Sequence, residues 1–186
     1  MRTLTIDRTK EWTAEDYLML GETNMPCQLI NGELVMSPAP SPYHQIVSSN
    51  IFDFLRGYSK EFGGLAFYAP VDLLIDKKNV FQPDIFYLSK EKKDFVTDNG
   101  IQGPPDLVIE IISPSNSYTD RYDKKDTYQK FGVIEYWIVD PANKTLEIYN
   151  GANWNKPSLY LAEEGRVTST TLVQLQFDLK EVFKQS

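Results

Sequence analysis

The sequence holds one cysteine and one histidine in 186 residues. A lone Cys27 excludes an internal disulfide framework and any multi-cysteine zinc cage. His44 is the sole histidine, and it is not a credible zinc ligand without companions. Long hydrophobic runs are also missing: stretches such as Leu107 to Ile112 are far too short to span a bilayer. Met1 to Lys10 is polar and lacks the apolar segment of a signal peptide, so a cytoplasmic location without a membrane partner is expected. Basic charge is scarce as well. Acidic residues outnumber basic ones 26 to 19, for a net charge of −7. A protein that grips a long stretch of nucleic acid normally presents a basic face. The basic cluster here is Lys77, Lys78, Lys90, Lys92 and Lys93, which reads either as a solvated loop or as a local rim.

The rest of the composition is that of a globular chain, 41% hydrophobic and 24% charged. The length suits one domain with a sizeable core. No repeat, low-complexity tract or long linker interrupts it. The expectation is a single domain over residues 1–186, with a core over about 12–150 and added strands and a short helix over 158–184.

Local signals place the elements. Thr13 and Asp16 form a capping-box pattern ahead of Tyr17, Leu18 and Leu20. Asn31-Gly32 favours a type I′ turn, which pairs Gln28–Ile30 with Glu33–Met36. Ser37 to Pro42 is a loop, after which Ser41 and Pro42 open a long helix. Its buried stripe is Ile46, Val47, Ile51, Phe54, Leu55 and Tyr58. Phe67 to Ile75 alternates as a strand, and Asp76 to Asn79 is a turn. Val80 to Leu88 is a strand bent, or held at an edge, by Pro83. Asp106 to Ile112 reads as a strand buried on both faces. A helix from about Asp120 to Phe131 ends at Gly132, and Glu135 to Val139 is the next strand, parallel to the last. Thr145–Tyr149, Leu159–Ala162 and Leu172–Phe177 are further strands, and Leu179 to Lys184 is a closing helix. The class is therefore α/β or α+β, a mixed central sheet flanked by helices.

Three carboxylates need an explanation. Glu110 lies among apolar neighbours, and an ionised carboxylate buried without a partner would normally protonate. A basic partner, a hydrogen-bond network or a metal must offset that cost; strand-end exposure is the plainer alternative. Asp84 follows Gln82-Pro83 at a strand start, where a turn aspartate would be unremarkable. Glu33 follows the Asn31-Gly32 turn, where a solvated charge is equally ordinary. On the helix after Glu110, Lys124 and Tyr128 are four residues apart and share a face. If Tyr128 faces the sheet, Lys124 points inward beside it. Trp12, Trp137 and Trp154 could line a cleft, although core packing suits Trp137 better.

Several stretches taken together resemble the Uma-two family of restriction-endonuclease-like proteins, within the PD-(D/E)XK nuclease superfamily. They are Gln28 to Pro38, His44, Gln82-Pro-Asp-Ile85, Pro105 to Ser115, Asp120 to Lys124, and Glu135 to Pro141. The resemblance implies a magnesium- or manganese-dependent phosphodiesterase site on a mixed sheet flanked by helices. Asp84 and Glu110 would be its metal-binding acids, Glu33 an additional acid, and the Ile111 carbonyl a further ligand. The lysine expected two residues after Glu110 is replaced by Ile112. Lys124, or less directly Lys125, would take over its role. His44 would be a supporting residue or a water contact, and Gln82 would orient Asp84 or the attacking water. Lys77, Lys78 and Lys125 are candidate contacts to nucleic acid, expected to be DNA, and a homodimer is compatible with two-strand cleavage.

Three rival readings stay open. One is a catalytically inactive nuclease-fold module that binds DNA or protein, which the acidic balance and Ile112 favour. Another is a carboxylate-based hydrolase such as a paired-acid glycosidase. The third is a structural subunit whose acids form ion pairs.

Overall fold

The computed structural model describes residues 9–21, 26–36, 39–113, 117–163 and 165–185. Ser37 and Pro38 of the expected loop, Pro114 and Ser115 of the family-like stretch, and most of the polar N-terminus lie outside the described residues.

Thr13 opens helix α1, Ala14–Leu18, with both hydrogen bonds of the capping box in place. Strands β1, Cys27–Ile30, and β2, Glu33–Met36, pair across the Asn31-Gly32 turn. Asn31 and Gly32 both have positive φ, 52° and 81°, as a type I′ turn requires. The Ser41 hydroxyl accepts from the His44 amide and caps α2, Pro42–Phe62. Val47, Ile51 and Leu55 form its buried line. Burying each of these side chains contributes roughly 1.5–3 kcal/mol, so the helix is held by packing more than by propensity.

The expected strand Phe67 to Ile75 is two strands. Strand β3, Leu65–Tyr68, and β4, Leu73–Asp76, fall in different sheets, separated by the cis Ala69–Pro70 peptide. Pro70 has no N–H to donate to a ladder, so the alternation of side chains does not continue as one strand. Strand β5, Asn79–Phe81, and β6, Ile85–Leu88, likewise change sheets at Gln82 to Asp84, which is the bend Pro83 implies. Short strands β7, Val96–Thr97, and β8, Gly100–Ile101, follow and have no counterpart in the sequence expectations. Strand β9, Leu107–Ile111, is buried throughout, as expected.

Next comes a helical stretch over 117–131, starting earlier than expected. It comprises α3, Ser117–Thr119, a π-helical turn, Asp120–Lys124, and α4, Lys125–Phe131. Gly132, at φ 98°, ends it. Strand β10, Glu135–Asp140, runs parallel to β9, and β11, Thr145–Asn150, returns antiparallel to pair with β12, Ser158–Leu161. The expected strand Leu172 to Phe177 shrinks to β14, Gln176–Asp178, paired with β13, Arg166–Thr168. Leu172 to Leu175 is a turn instead, closed by a bond from the Leu175 amide to the Leu172 carbonyl. Helix α5, Leu179–Val182, follows.

The strands form two six-stranded sheets, ordered β2-β1-β5-β4-β8-β7 and β12-β11-β10-β9-β6-β3. Both mix parallel and antiparallel pairs, so the mixed α+β class holds, with a second sheet added to the expected central one. The second sheet in this order carries the site. Alternate residues of β9 enter different clusters. Leu107, Ile109 and Ile111 pack with the α2 line, whereas Val108 and Ile112 pack with Tyr128, Tyr136, Phe81 and Phe86. Period-two geometry therefore sends Glu110 to the face covered by the 117–131 helix. Among the described residues, no helix is long and apolar enough to cross a membrane. Trp12, Trp137 and Trp154 are all buried, so none lines an open cleft.

Candidate metal centre

Glu110 sits in the middle strand of the sheet, between β6 and β10, and is 3% exposed. Two side chains of the helix meet it. Lys124 Nζ donates to Glu110 Oε1 at 3.0 Å, and the Tyr128 hydroxyl donates to the same oxygen at 2.7 Å. Neither of these bonds uses Oε2. The inward turn expected of Lys124 beside Tyr128 is thus present. Burial, only partly offset by the Lys124 charge, pushes the Glu110 carboxyl up to about 8. Burial also opposes the charge on Lys124, but Glu110 and Asp120 outweigh it and hold its pKa above the ordinary lysine value.

Asp84 approaches from the neighbouring strand. The pairing Ile85 with Ile109 sets Asp84, one residue before β6, across from Glu110. Its Oδ2 accepts from the Ile111 amide at 2.8 Å. The Asp84 charge is one of the influences that raise the Glu110 pKa, so the two carboxylates sense each other. Unlike Glu110, the Asp84 side chain keeps 22% of its surface exposed, which opens this end of the site to solvent.

His44 closes the group from α2. Its Nε2 lies 3.0 Å from the Ile111 carbonyl oxygen and 3.4 Å from Asp84 Oδ2. A carbonyl only accepts, so Nε2 carries the proton in that bond. Burial works against a charged His44, but the hydrogen bond and charge of Asp84 prevail and raise its pKa.

The remaining sequence candidates lie elsewhere or have other partners. Glu33 is exposed on β2, the edge strand of the other sheet. The Gln82 side-chain nitrogen donates to Asp72 Oδ1 at 2.8 Å and to the Tyr17 hydroxyl, so its amide is engaged away from Asp84. Lys125 does not meet Glu110; its Nζ stands 5.7 Å from the Tyr149 ring centroid and 3.4 Å from Asp126. Lys78 pairs with Glu11, and Lys77 is exposed beside it. Lys92 is held by Asp106 and the Pro104 carbonyl, which removes it from any basic rim.

Asp120 was not singled out as a site residue by sequence reasoning. It is 1% exposed, and its Oδ1 lies 3.1 Å from Lys124 Nζ. Burial raises its pKa, with Lys124 acting in the opposite direction. The signal was the four-residue step from Asp120 to Lys124, the same step that links Lys124 to Tyr128.

A solved structure shares this fold. It is described as that of "a putative nuclease belonging to DUF820" from Anabaena variabilis, and it superposes with a TM-score of 0.79. The match is 21% identical and covers 92% of this chain and 97% of that one. Residues 14–180 match the model of the Uma2 family, described as "Putative restriction endonuclease". The chain belongs to that family. No match was found among curated proteins.

The fold class raises the question of a divalent ion, and the residues present fit one. Asp84, Glu110 and the Ile111 carbonyl offer oxygen donors only, the set that hard cations such as Mg²⁺ and Mn²⁺ prefer. A cation between them would also relieve the repulsion between the two carboxylates. The Ile111 carbonyl has a second lone pair beyond the one that His44 uses. Among the described residues, no three of His, Cys, Asp and Glu gather into a set that could hold an ion. The fit therefore rests on two carboxylates, a carbonyl and water.

Proposed function

We propose that the protein is a metal-dependent phosphodiesterase, a DNA endonuclease, whose centre is Asp84, Glu110 and Lys124. One observation carries this reading. A buried glutamate stands across from an aspartate just before the adjacent strand, and a buried lysine reaches the glutamate from the following helix. A buried lysine and glutamate beside a partly exposed aspartate match the needs of phosphoryl hydrolysis: oxygen ligands for an ion and a fixed positive charge beside it.

Asp84 and Glu110 would hold Mg²⁺ or Mn²⁺, with the Ile111 carbonyl as a third oxygen and water completing the shell. When bound, such an ion polarises a phosphate oxygen and lowers the pKa of water. The chain's own residues do the rest. Lys124 favours the ionised form of Glu110 against the effect of burial and offsets charge that grows on the phosphate oxygens. Tyr128 holds the same carboxylate in one rotamer. His44 pins the Ile111 carbonyl, and Asp84 pins the Ile111 amide, so the end of β9 cannot shift as substrate enters. Lys77 and Lys125 are the candidate contacts to the DNA backbone.

The test is cleavage of supercoiled plasmid, branched DNA and single-stranded DNA, with Mg²⁺, with Mn²⁺ and with chelator. Turnover that needs the ion and disappears in Lys124→Ala, with the fold retained, supports the proposal. DNA binding without turnover under every condition would instead make the chain a catalytically inactive nuclease-fold binding module. Ile112, in place of the lysine common in the superfamily, favours that second reading.

A further inference from the structure

Asp120 is a buried carboxylate with an incomplete set of partners. Neither Oδ1 nor Oδ2 makes a hydrogen bond of good geometry, although Oδ1 is within ion-pair distance of Lys124 Nζ. An ionised group this deep needs a compensating charge, and Lys124 supplies it. Lys124 in turn stands between two carboxylates, 3.0 Å from Glu110 and 3.1 Å from Asp120. The backbone fixes the arrangement. Tyr136, fully buried on β10, donates its hydroxyl hydrogen to the Asp120 carbonyl at 3.0 Å. This ties the first residue of the π-helical turn to the sheet. Lys124 is the last residue of that turn. Asp120, Lys124 and Tyr128 are then spaced four and four along one inward line, the first step in the π-helical turn and the second in α-helix.

A lysine ammonium on four methylenes has many rotamers, and one carboxylate would not fix its position. Two carboxylates, each within ion-pair distance, do. We propose that Asp120 is a positioning residue, which holds the Lys124 ammonium against Glu110 and acts on the reaction only through Lys124. The proposal rests on the nuclease reading for its kinetic arm, but its geometric arm stands without it.

The experiment compares the full-length wild type with Asp120→Asn and Asp120→Glu. Asn keeps the size and loses the charge, whereas Glu keeps the charge. Steady-state cleavage gives kcat and KM, and calorimetry gives the Mn²⁺ affinity. Reductive methylation of the native protein, read by peptide mass spectrometry, gives the accessibility of Lys124 against Lys130 as internal reference. In Asp120→Asn, kcat is expected to fall about thirtyfold or more while KM and Mn²⁺ affinity stay within about threefold. Lys124 labelling is expected to rise about tenfold and Lys130 labelling to stay constant, since only the Lys124 ion pair is broken. Asp120→Glu is expected to recover at least about a third of the lost kcat, because charge and not shape is being restored. A purely structural role would move KM and metal affinity together with kcat, and would raise labelling of the half-buried Lys92 as well. An Asp120→Asn enzyme with kcat within threefold of wild type, or with Lys124 as protected as in wild type, overturns the proposal. If the wild type itself has no turnover, the nuclease reading falls and the labelling arm alone decides this one. If Asp120→Asn does not fold, Asp120→Ser takes its place with the same readings.

Discussion

Lys124 Nζ lies 3.0 Å from Glu110 Oε1, and neither side chain is more than 5% exposed. Removing Lys124 leaves the buried Glu110 and Asp120 carboxyls without their positive partner. Lys124→Ala is expected to destabilise the fold by about 3–5 kcal/mol. Lys125→Ala loses a weak contact with Tyr149 and an ion pair with the exposed Asp126, and is expected to cost under about 1 kcal/mol. Urea unfolding of the two variants checks the difference. Equal losses would mean that the helix does not distinguish the two lysines as described.

Tyr128 donates to the same oxygen as Lys124. Tyr128→Phe keeps the ring packed against Phe81 and Tyr136 but removes a hydrogen bond to a charged acceptor. A loss of about 1.5–3 kcal/mol is expected in the same assay. A change below about 0.5 kcal/mol, the size seen at neutral surface sites, would contradict the hydrogen bond.

Asp84 does two jobs that substitution can separate. Its Oδ2 accepts from the Ile111 amide, and its charge faces Glu110. Asp84→Asn retains an oxygen acceptor and is expected to unfold within about 1 kcal/mol of wild type. Asp84→Ala strands a backbone N–H and is expected to cost about 1–3 kcal/mol. Both are expected to lose Mn²⁺ binding in calorimetry. An Asn variant that binds Mn²⁺ as the wild type does would remove Asp84 from the metal centre.

Glu33 is exposed on an edge strand, so Glu33→Gln is expected to change stability by no more than about 0.5 kcal/mol. Standing on the other sheet, it is expected to change Mn²⁺ affinity by less than about tenfold, or 1.4 kcal/mol. A loss as large as that of Asp84→Asn would make Glu33 a direct ligand.

Much of this arrangement is legible in the sequence. The Thr13 cap, the Asn31-Gly32 hairpin, the α2 stripe and the buried β9 strand each depend on signals within a few residues. The Lys124–Tyr128 step was readable too, because helical periodicity fixes which side chains share a face. Other features depend on distant contacts. Nothing local told that Phe67 and Leu73 belong to different sheets, although Pro70 gave warning that one ladder could not run through. Strands of two residues, such as Val96–Thr97, carry too little pattern to detect. The full role of Asp120 was hidden because an aspartate on a charge-rich helix reads as solvated. Its burial becomes visible only once Tyr136 anchors that turn to β10.

The central claim is that Asp84 and Glu110 share one divalent ion. Anomalous scattering from a crystal soaked in Mn²⁺ tests it most directly. The account predicts a single strong peak between the two carboxylates, with the Ile111 carbonyl within about 2.0–2.6 Å of the ion, as hard-cation coordination requires. A map with no peak there, at Mn²⁺ concentrations that saturate any binding seen by calorimetry, would contradict it.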